Sequence, residues 1–287
     1  MDTIAISSDS KLFPKRLQHL AQPPKQLFCS GQPLAELLTR PTLGIVGARK
    51  VTAYGTSVTN DLAGAAARHG LVVVSGLALG VDSIAHTAAI KSGGGTVAVL
   101  PSGVKAIYPA SHHHLAKQIR EGVGVLVSEY PDDQRPERGS FIARNRIIAG
   151  LSDALLVTEA AEKSGSLHTA RFALELGRTV MAVPGNITSA LSAGTNNLIK
   201  AGAIPVTCIE DILHAMGLTS TRKERTEYYP ENEAEQQIIA LLGGGIANGD
   251  DLLAASKLSA QVFNQHLTML ELKGVISPLG NNAWQLL

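Results

Sequence analysis

The chain has 287 residues, 45% of them apolar and 17% charged, enough for one large α/β domain plus a small one with a sizeable core. No apolar run reaches the roughly 20 residues needed to span a bilayer, Met1 to Lys11 lacks the pattern of a signal peptide, and two distant cysteines, Cys29 and Cys208, exclude a disulfide framework; a cytoplasmic protein without membrane contact is expected. Net charge is +1, but Arg222 onward holds five basic and eight acidic residues against 20 and 16 before it, so an anionic partner is expected on the N-terminal part.

Residues 1–41 read as a lead-in, because Pro14, Pro23, Pro24 and Pro33 preclude a long helix there. Short apolar runs follow at Leu43–Ala48, Leu71–Val74, Thr96–Leu100, Val123–Val127, Ala154–Thr158 and Thr179–Val183. Stretches of helical period lie between most of them, such as Ser57–Arg68, Ser83–Lys91 and Leu167–Leu176. Strands that alternate with helices and are apolar on both faces form a mostly parallel sheet covered on both sides. The fold class expected for residues 42–218 is therefore α/β, an extended Rossmann-like doubly wound sheet. A polar linker over 219–233 leads to a small C-terminal winged-helix domain over 234–287, with helices at Glu235–Leu242, Gly249–Ala255 and Ser259–Lys273. A two-stranded wing follows, turning at Gly280-Asn281-Asn282.

Ligands of such sheets bind where the strand ends open into loops. Gly47-Ala48-Arg49-Lys50, Ser75 to Asp82, Pro101-Ser102-Gly103, Ser128 to Pro131, Glu159 to Ser166 and Pro184-Gly185-Asn186 share that edge. A nicotinamide cofactor needs a G-x-G-x-x-G turn and an acid at the second strand end. Here Arg49 occupies the turn and the second strand ends in Ser75-Gly76, so no cofactor is expected. Arg49, Lys50, Arg135, Arg138, Arg144 and Arg146, with Phe141 among them, instead suit phosphate oxygens and an unpaired base. Lys163-Ser164-Gly165-Ser166 adds a cation, hydroxyls and the N–H groups of a helix start. Any one of these arginines could equally serve an ion pair or a carbonyl; the set points to an anion site.

Ile45 to Arg49, Ser75 to Asp82, Arg144 to Ser152, Lys163 to Ala170 and Pro184-Gly185-Asn186 resemble the signature segments of the DprA (Smf) family, in order and over about residues 11–216. The resemblance implies a protein of natural transformation that binds incoming single-stranded DNA without sequence preference, protects it and helps load RecA. It also implies a homodimer formed through the Rossmann-like domain. DNA contact carries over to Arg49 in the glycine loop and to Arg138 and Phe141; Gly47, Lys50, Arg144, Arg146, Lys163, Ser164, Gly165, Ser166 and Lys200 are placed at the same edge. The helical domain that often precedes the lead-in in this family is not expected in this sequence.

Two other functions compete. The related LOG-like phosphoribohydrolases use P-G-G-x-G-T-x-x-E, and Phe172 stands at the position of that glutamate. A phenyl ring cannot stabilise an oxocarbenium-like charge or move a proton, so a non-enzyme is expected; Glu175 is at pairing distance from Arg171. A winged helix suggests a duplex-DNA regulator, yet Ser259–Lys273 offers one lysine opposed by Glu271, which favours a protein-contact role. His112-His113-His114 point in different directions and cannot share a metal. Asp82 is expected as a helix N-cap, and His86 and His168 as structural or site-lining.

Overall fold

The computed structural model describes residues 3–218, 230–280 and 282–286. They fall into two compact units, Met1–Ser220 and Thr221–Leu287. Most of the stretch read as a linker, residues 219–229, and Asn281 of the expected wing turn lie outside the described residues.

In chain order the first unit contains β1 (Ile4–Ser7), β2 (Gln26–Gly31), α1 (Leu34–Leu37), β3 (Thr42–Val46), α2 (Ala53–Arg68), β4 (Val72–Ser75), α3 (Val81–Lys91) and β5 (Thr96–Val99). It continues through α4 (His113–Glu121), β6 (Gly124–Ser128), α5 (Ser140–Leu151), β7 (Ala154–Val157), α6 (Ser166–Glu175), β8 (Thr179–Ala182), α7 (Ala193–Lys200), β9 (Ile204–Pro205) and α8 (Ile209–Ala215). The nine strands form one sheet in the order β1-β2-β6-β5-β4-β3-β7-β8-β9. From β6 to β9 every pairing is parallel, and β1 and β2 join the β6 edge antiparallel.

The alternation within the central strands explains the two-sided cover. Val72 and Val74 face one core with Ile147, Ile148, Ala170 and Ala173 of α5 and α6. Leu71 and Val73 face the other, with Leu62 and Ala66 of α2, Ala85 and Ala89 of α3 and Ile212 of α8. Both registers of each strand are apolar because both are covered. The chain winds outward from β3 through β4 and β5 to β6, then returns through α5 to lay β7 on the other side of β3. The loops after β3 and β7 therefore diverge, and a crevice opens between them at the carboxyl end of the sheet.

Residues 1–41 do more than lead in. They supply β1 and β2, and Phe13, Leu17, Leu20, Leu27 and Leu34 enter the first core. Pro14, Pro23, Pro24 and Pro33 all lie outside the two strands, where they break nothing. Residues 140–151, to which the sequence analysis assigned no element, fold as α5. The second unit has the expected winged-helix elements: α9 (Glu233–Gly243), α10 (Gly249–Ser256), α11 (Ala260–Leu272) and the hairpin of β10 (Ile276–Gly280) and β11 (Ala283–Leu286). Asn232, Asn248 and Ser259 cap its three helices with side-chain oxygens, around a core that includes Ile238, Leu252, Phe263, Leu267 and Leu270.

Candidate nucleic-acid interface

The crevice is a cleft of about 480 Å³. Its floor is built by close contacts between backbones. A Cβ on Gly47 would lie 2.6 Å from Val81 Cγ2 and 2.7 Å from the Glu159 carbonyl oxygen, so only glycine lets the loop after β3 pass between them. Gly80 adopts φ 77 against the carbonyls of Ala48 and Arg49, again a place for glycine alone. The Ala48 N–H donates to the Glu159 carbonyl at 2.7 Å, and the Val81 N–H donates to the Ala48 carbonyl at 3.1 Å. The buried Glu159 carboxylate then accepts from the Thr52 N–H at 2.8 Å and the Thr52 hydroxyl at 2.6 Å, and Thr52 caps α2. Three loops are thus tied together beneath the cleft.

α5 forms one wall. Phe141, Arg144, Asn145 and Ile148 all line the cleft, the i, i+3, i+4, i+7 pattern of one helix face. Arg144 is only 4% exposed. Its guanidinium donates to the Gly76 carbonyl and, at 2.6 Å, to the Val99 carbonyl. Burial pushes its pKa down to about 10, partly countered by Asp82. Asp82 accepts from the N–H groups of Gly76 at 3.1 Å and Ala78 at 3.3 Å. Burial raises its pKa, and Arg144 opposes the rise. Asp82 is therefore not the cap of α3, whose N-cap position is Gly80; the left-handed backbone needed there excludes a carboxylate residue, and Asp82 ties down the glycine loop instead.

The opposite wall is the start of α6, with Ser164, Gly165 and Ser166 at the cleft. Asn145 Nδ2 donates to the Gly165 carbonyl at 3.3 Å, and the Ser164 and Ser166 hydroxyls are 2.8 Å apart. At the mouth, Arg49 and Lys50 are exposed. The Arg49 guanidinium sits over the Phe141 ring, 5.2 Å from its centroid, a cation–π geometry. A cation, an aromatic face, hydroxyls and a helix N-terminus in one cleft can hold phosphate oxygens beside an unpaired base.

Of the residues placed at this edge by sequence, Gly47, Arg49, Lys50, Phe141, Arg144, Ser164, Gly165 and Ser166 come together in the cleft. Arg138 and Lys163 are exposed just before α5 and α6 without lining it. Arg146 turns away from it into an ion pair with Glu129. Lys200 ends α7, whose first turn follows the cleft-lining Leu191, and a helix of that length carries it roughly 10 Å further along.

A family model for DNA recombination-mediator protein A matches residues 4–217, and one for the DprA winged helix domain matches residues 223–282. The chain belongs to the DNA recombination-mediator protein A family. Among its relatives, the DNA processing protein DprA of Bacillus subtilis (strain 168) is 42% identical over 216 residues, which is 75% of this chain and 71% of the relative. Protein Smf of Escherichia coli (strain K12) is 44% identical over 208 residues, 72% of this chain and 55% of the relative. The solved DNA processing protein A (DprA) of Streptococcus pneumoniae superposes with a TM-score of 0.70 at 37% identity, covering 74% of this chain and 73% of that one. DNA processing protein A from Helicobacter pylori, whose structure is described as revealing a unique single-stranded DNA binding mode, gives a TM-score of 0.67 at 34% identity, covering 75% and 95%.

Beyond the loop Ser75 to Asp82, whose Ala78 and Asp82 line the cleft as placed by sequence, the cleft of this recombination-mediator chain also uses residues that sequence reasoning did not place there: Asn145, Ile148, Thr169 and Leu191. The signal for α5 was present, since Phe141, Arg144, Asn145 and Ile148 recur at helical spacing. Among the histidines, His112 Nδ1 donates to the Leu77 carbonyl at 2.9 Å and His168 lines the cleft. His86 is fully buried, 2.7 Å from the Thr96 hydroxyl. Phe172, in place of the hydrolase glutamate, packs against the first core, and Arg171 pairs with Glu175 at 2.8 Å.

Proposed function

We propose that the chain binds single-stranded DNA in this cleft without sequence preference, protects it, and helps load RecA onto it during DNA uptake. The observation that carries the reading is the Arg49 guanidinium stacked on Phe141 at the mouth of a cleft that also holds the α6 N-terminus. The planar cation takes phosphate oxygens, the ring takes a base of any identity, and neither reads a base edge. The single-stranded DNA binding mode described for the Helicobacter pylori protein supports the same ligand class. Arg138 and Lys163, exposed beside the cleft, extend the phosphate track. Arg144 contributes by holding the loops, with Gly47 giving them room.

The proposal includes a cytoplasmic homodimer working through its α/β domain, residues 42–218, with 219–233 as linker and 234–287 as a separate protein-contact module. The absence of catalysis is part of it. Phe172 offers no carboxylate, and Glu159, the buried acid near the cleft, has its oxygens bonded to Thr52. A duplex-reading winged helix finds little support, because α11 itself carries no Lys or Arg and Lys273 at its C-terminal end is engaged by Glu231 and Glu235 at 3.0 Å each.

The test is affinity for oligo-dT and for duplex of equal length across salt concentrations, on the full chain. Tight, steeply salt-dependent single-strand binding and much weaker duplex binding are expected. Equal affinities would overturn the reading, and release of free base from AMP at enzyme-like rates would overturn the non-enzymatic part. RecA loading is tested by adding the protein to RecA and single-stranded DNA coated with a single-strand-binding protein; no gain in RecA filament formation would remove that step.

A further inference from the structure

We infer that Tyr108 is a second base-stacking position beside Phe141, and that the two rings together make the cleft reject duplex DNA. The inference rests on the single-strand reading of the cleft. Tyr108 lies in the segment between β5 and α4, far in sequence from the arginines. Its ring centroid is 5.5 Å from that of Phe141, and the rings are turned 75° to each other. It is 46% exposed while in contact with that ring.

The surroundings explain the exposure. A second, smaller recess of about 50 Å³ opens beside the main cleft, lined by Leu79, Pro101, Tyr108 and Pro109. Arg49, Ala78, Phe141 and Arg144 line both recesses. Leu79 and Ile142, one from each recess, are both 49% exposed. Single exposed apolar side chains are ordinary. Here Leu79, Tyr108, Phe141 and Ile142 gather around one exposed guanidinium, the combination that suits neighbouring bases joined by one phosphate.

The angle supplies the selectivity. Bases in a duplex lie parallel, about 3.4 Å apart along each strand. Two bases resting on rings 5.5 Å apart and 75° from parallel are unstacked from each other and turned out of any common stack. A single strand can adopt that step at the cost of one stacking contact, which the rings replace. A duplex would have to break pairs as well.

The experiment uses the full chain, with binding to oligo-dT and to duplex measured for Tyr108→Ala, Tyr108→Phe and Arg49→Ala. Tyr108→Ala is expected to weaken single-strand binding about tenfold with little change for duplex, and Tyr108→Phe to restore the wild-type value. Photocrosslinking of the unmodified protein to oligonucleotides carrying 5-iododeoxyuridine is expected to label Tyr108, which keeps the inference testable even if Tyr108→Ala does not fold. Single-strand affinity within twofold of wild type for Tyr108→Ala, equal losses for single strand and duplex, or crosslinks that never include Tyr108 would overturn it. If Arg49→Ala weakens binding while Tyr108→Ala does not, the cleft reading stands and only the second position falls. If neither variant weakens binding, the cleft reading falls with it.

Discussion

The guanidinium of Arg49 lies on the ring of Phe141, which reaches it from a helix starting more than ninety residues later in the chain. An exposed pair of this kind contributes only about 0.5–1 kcal/mol to folding. Arg49→Ala should therefore leave the fold intact. Single-strand affinity should fall, and the slope of its logarithm against log salt should shrink by about 0.7, the loss of one phosphate contact. Arg49→Lys should recover the slope but not the full affinity, because an ammonium lacks the planar face that stacks. A salt titration of oligo-dT binding checks both; an unchanged slope in Arg49→Ala would place the phosphate contact elsewhere.

Arg144 should behave oppositely. Its Nη1 donates to the Gly76 and Val99 carbonyls and its Nε to Asn145, and it neighbours the buried Asp82. Arg144→Met strands those carbonyls and leaves Asp82 without its counter-charge, a loss on the order of 3–5 kcal/mol. Urea unfolding should show it directly. Combined with Asp82→Asn, the damage should be clearly less than the sum of the two single losses.

Acid should weaken the fold through His86. The Thr96 hydroxyl donates to the Val73 carbonyl, so His86 Nδ1 donates to Thr96 and the buried Nε2 carries the lone pair. Burial, with the positive charges of Arg144 and His112, lowers its pKa from 6.5 to about 3. The folded pKa is depressed, so this contribution is fully present above pH 6.5 and is lost as pH falls from there toward 3. Asp82, with a raised pKa, acts in the reverse sense above its ordinary value of 3.8. Stability measured by urea between pH 7 and 4 should fall on the acid side, and His86→Asn should flatten that limb; a limb unchanged by the substitution would assign the loss to other groups.

Arg146 and Lys200 should prove silent in binding. Arg146 is neutralised by Glu129, with both side chains mostly buried, and Lys200 stands at the far end of α7. Alanine at either position should change oligo-dT affinity less than twofold by anisotropy. Arg146→Ala should still lower stability, because Glu129 loses its partner.

The parallel sheet was readable because its strands are apolar on both faces and spaced by helical stretches. β1 and β2 escaped notice for the complementary reason. They are antiparallel strands at an edge, Ile6 is the one buried residue of β1, and so short a half-exposed run carries little pattern. The arginines show the limit at the site. Arg144 and Arg146 look equivalent as a string of cations, but two residues along a helix is a turn of roughly 200°. One therefore reaches the loops under the cleft and the other reaches Glu129. Arg144 would have been separable from Arg146 by helical period alone. The carbonyls it serves, Gly76 and Val99, depend on tertiary packing that no local pattern encodes.

The bonds beneath the cleft have a thermodynamic consequence. Arg144 fastens the ends of β4 and β5, Glu159 fastens the start of α2, and Asn145 fastens the start of α6. Groups that face the ligand are thus positioned by interactions internal to the fold, and ordering them takes little conformational entropy at the moment of association. Such preorganisation lets modest contacts, an ion here and a stacked ring there, appear almost undiminished as affinity.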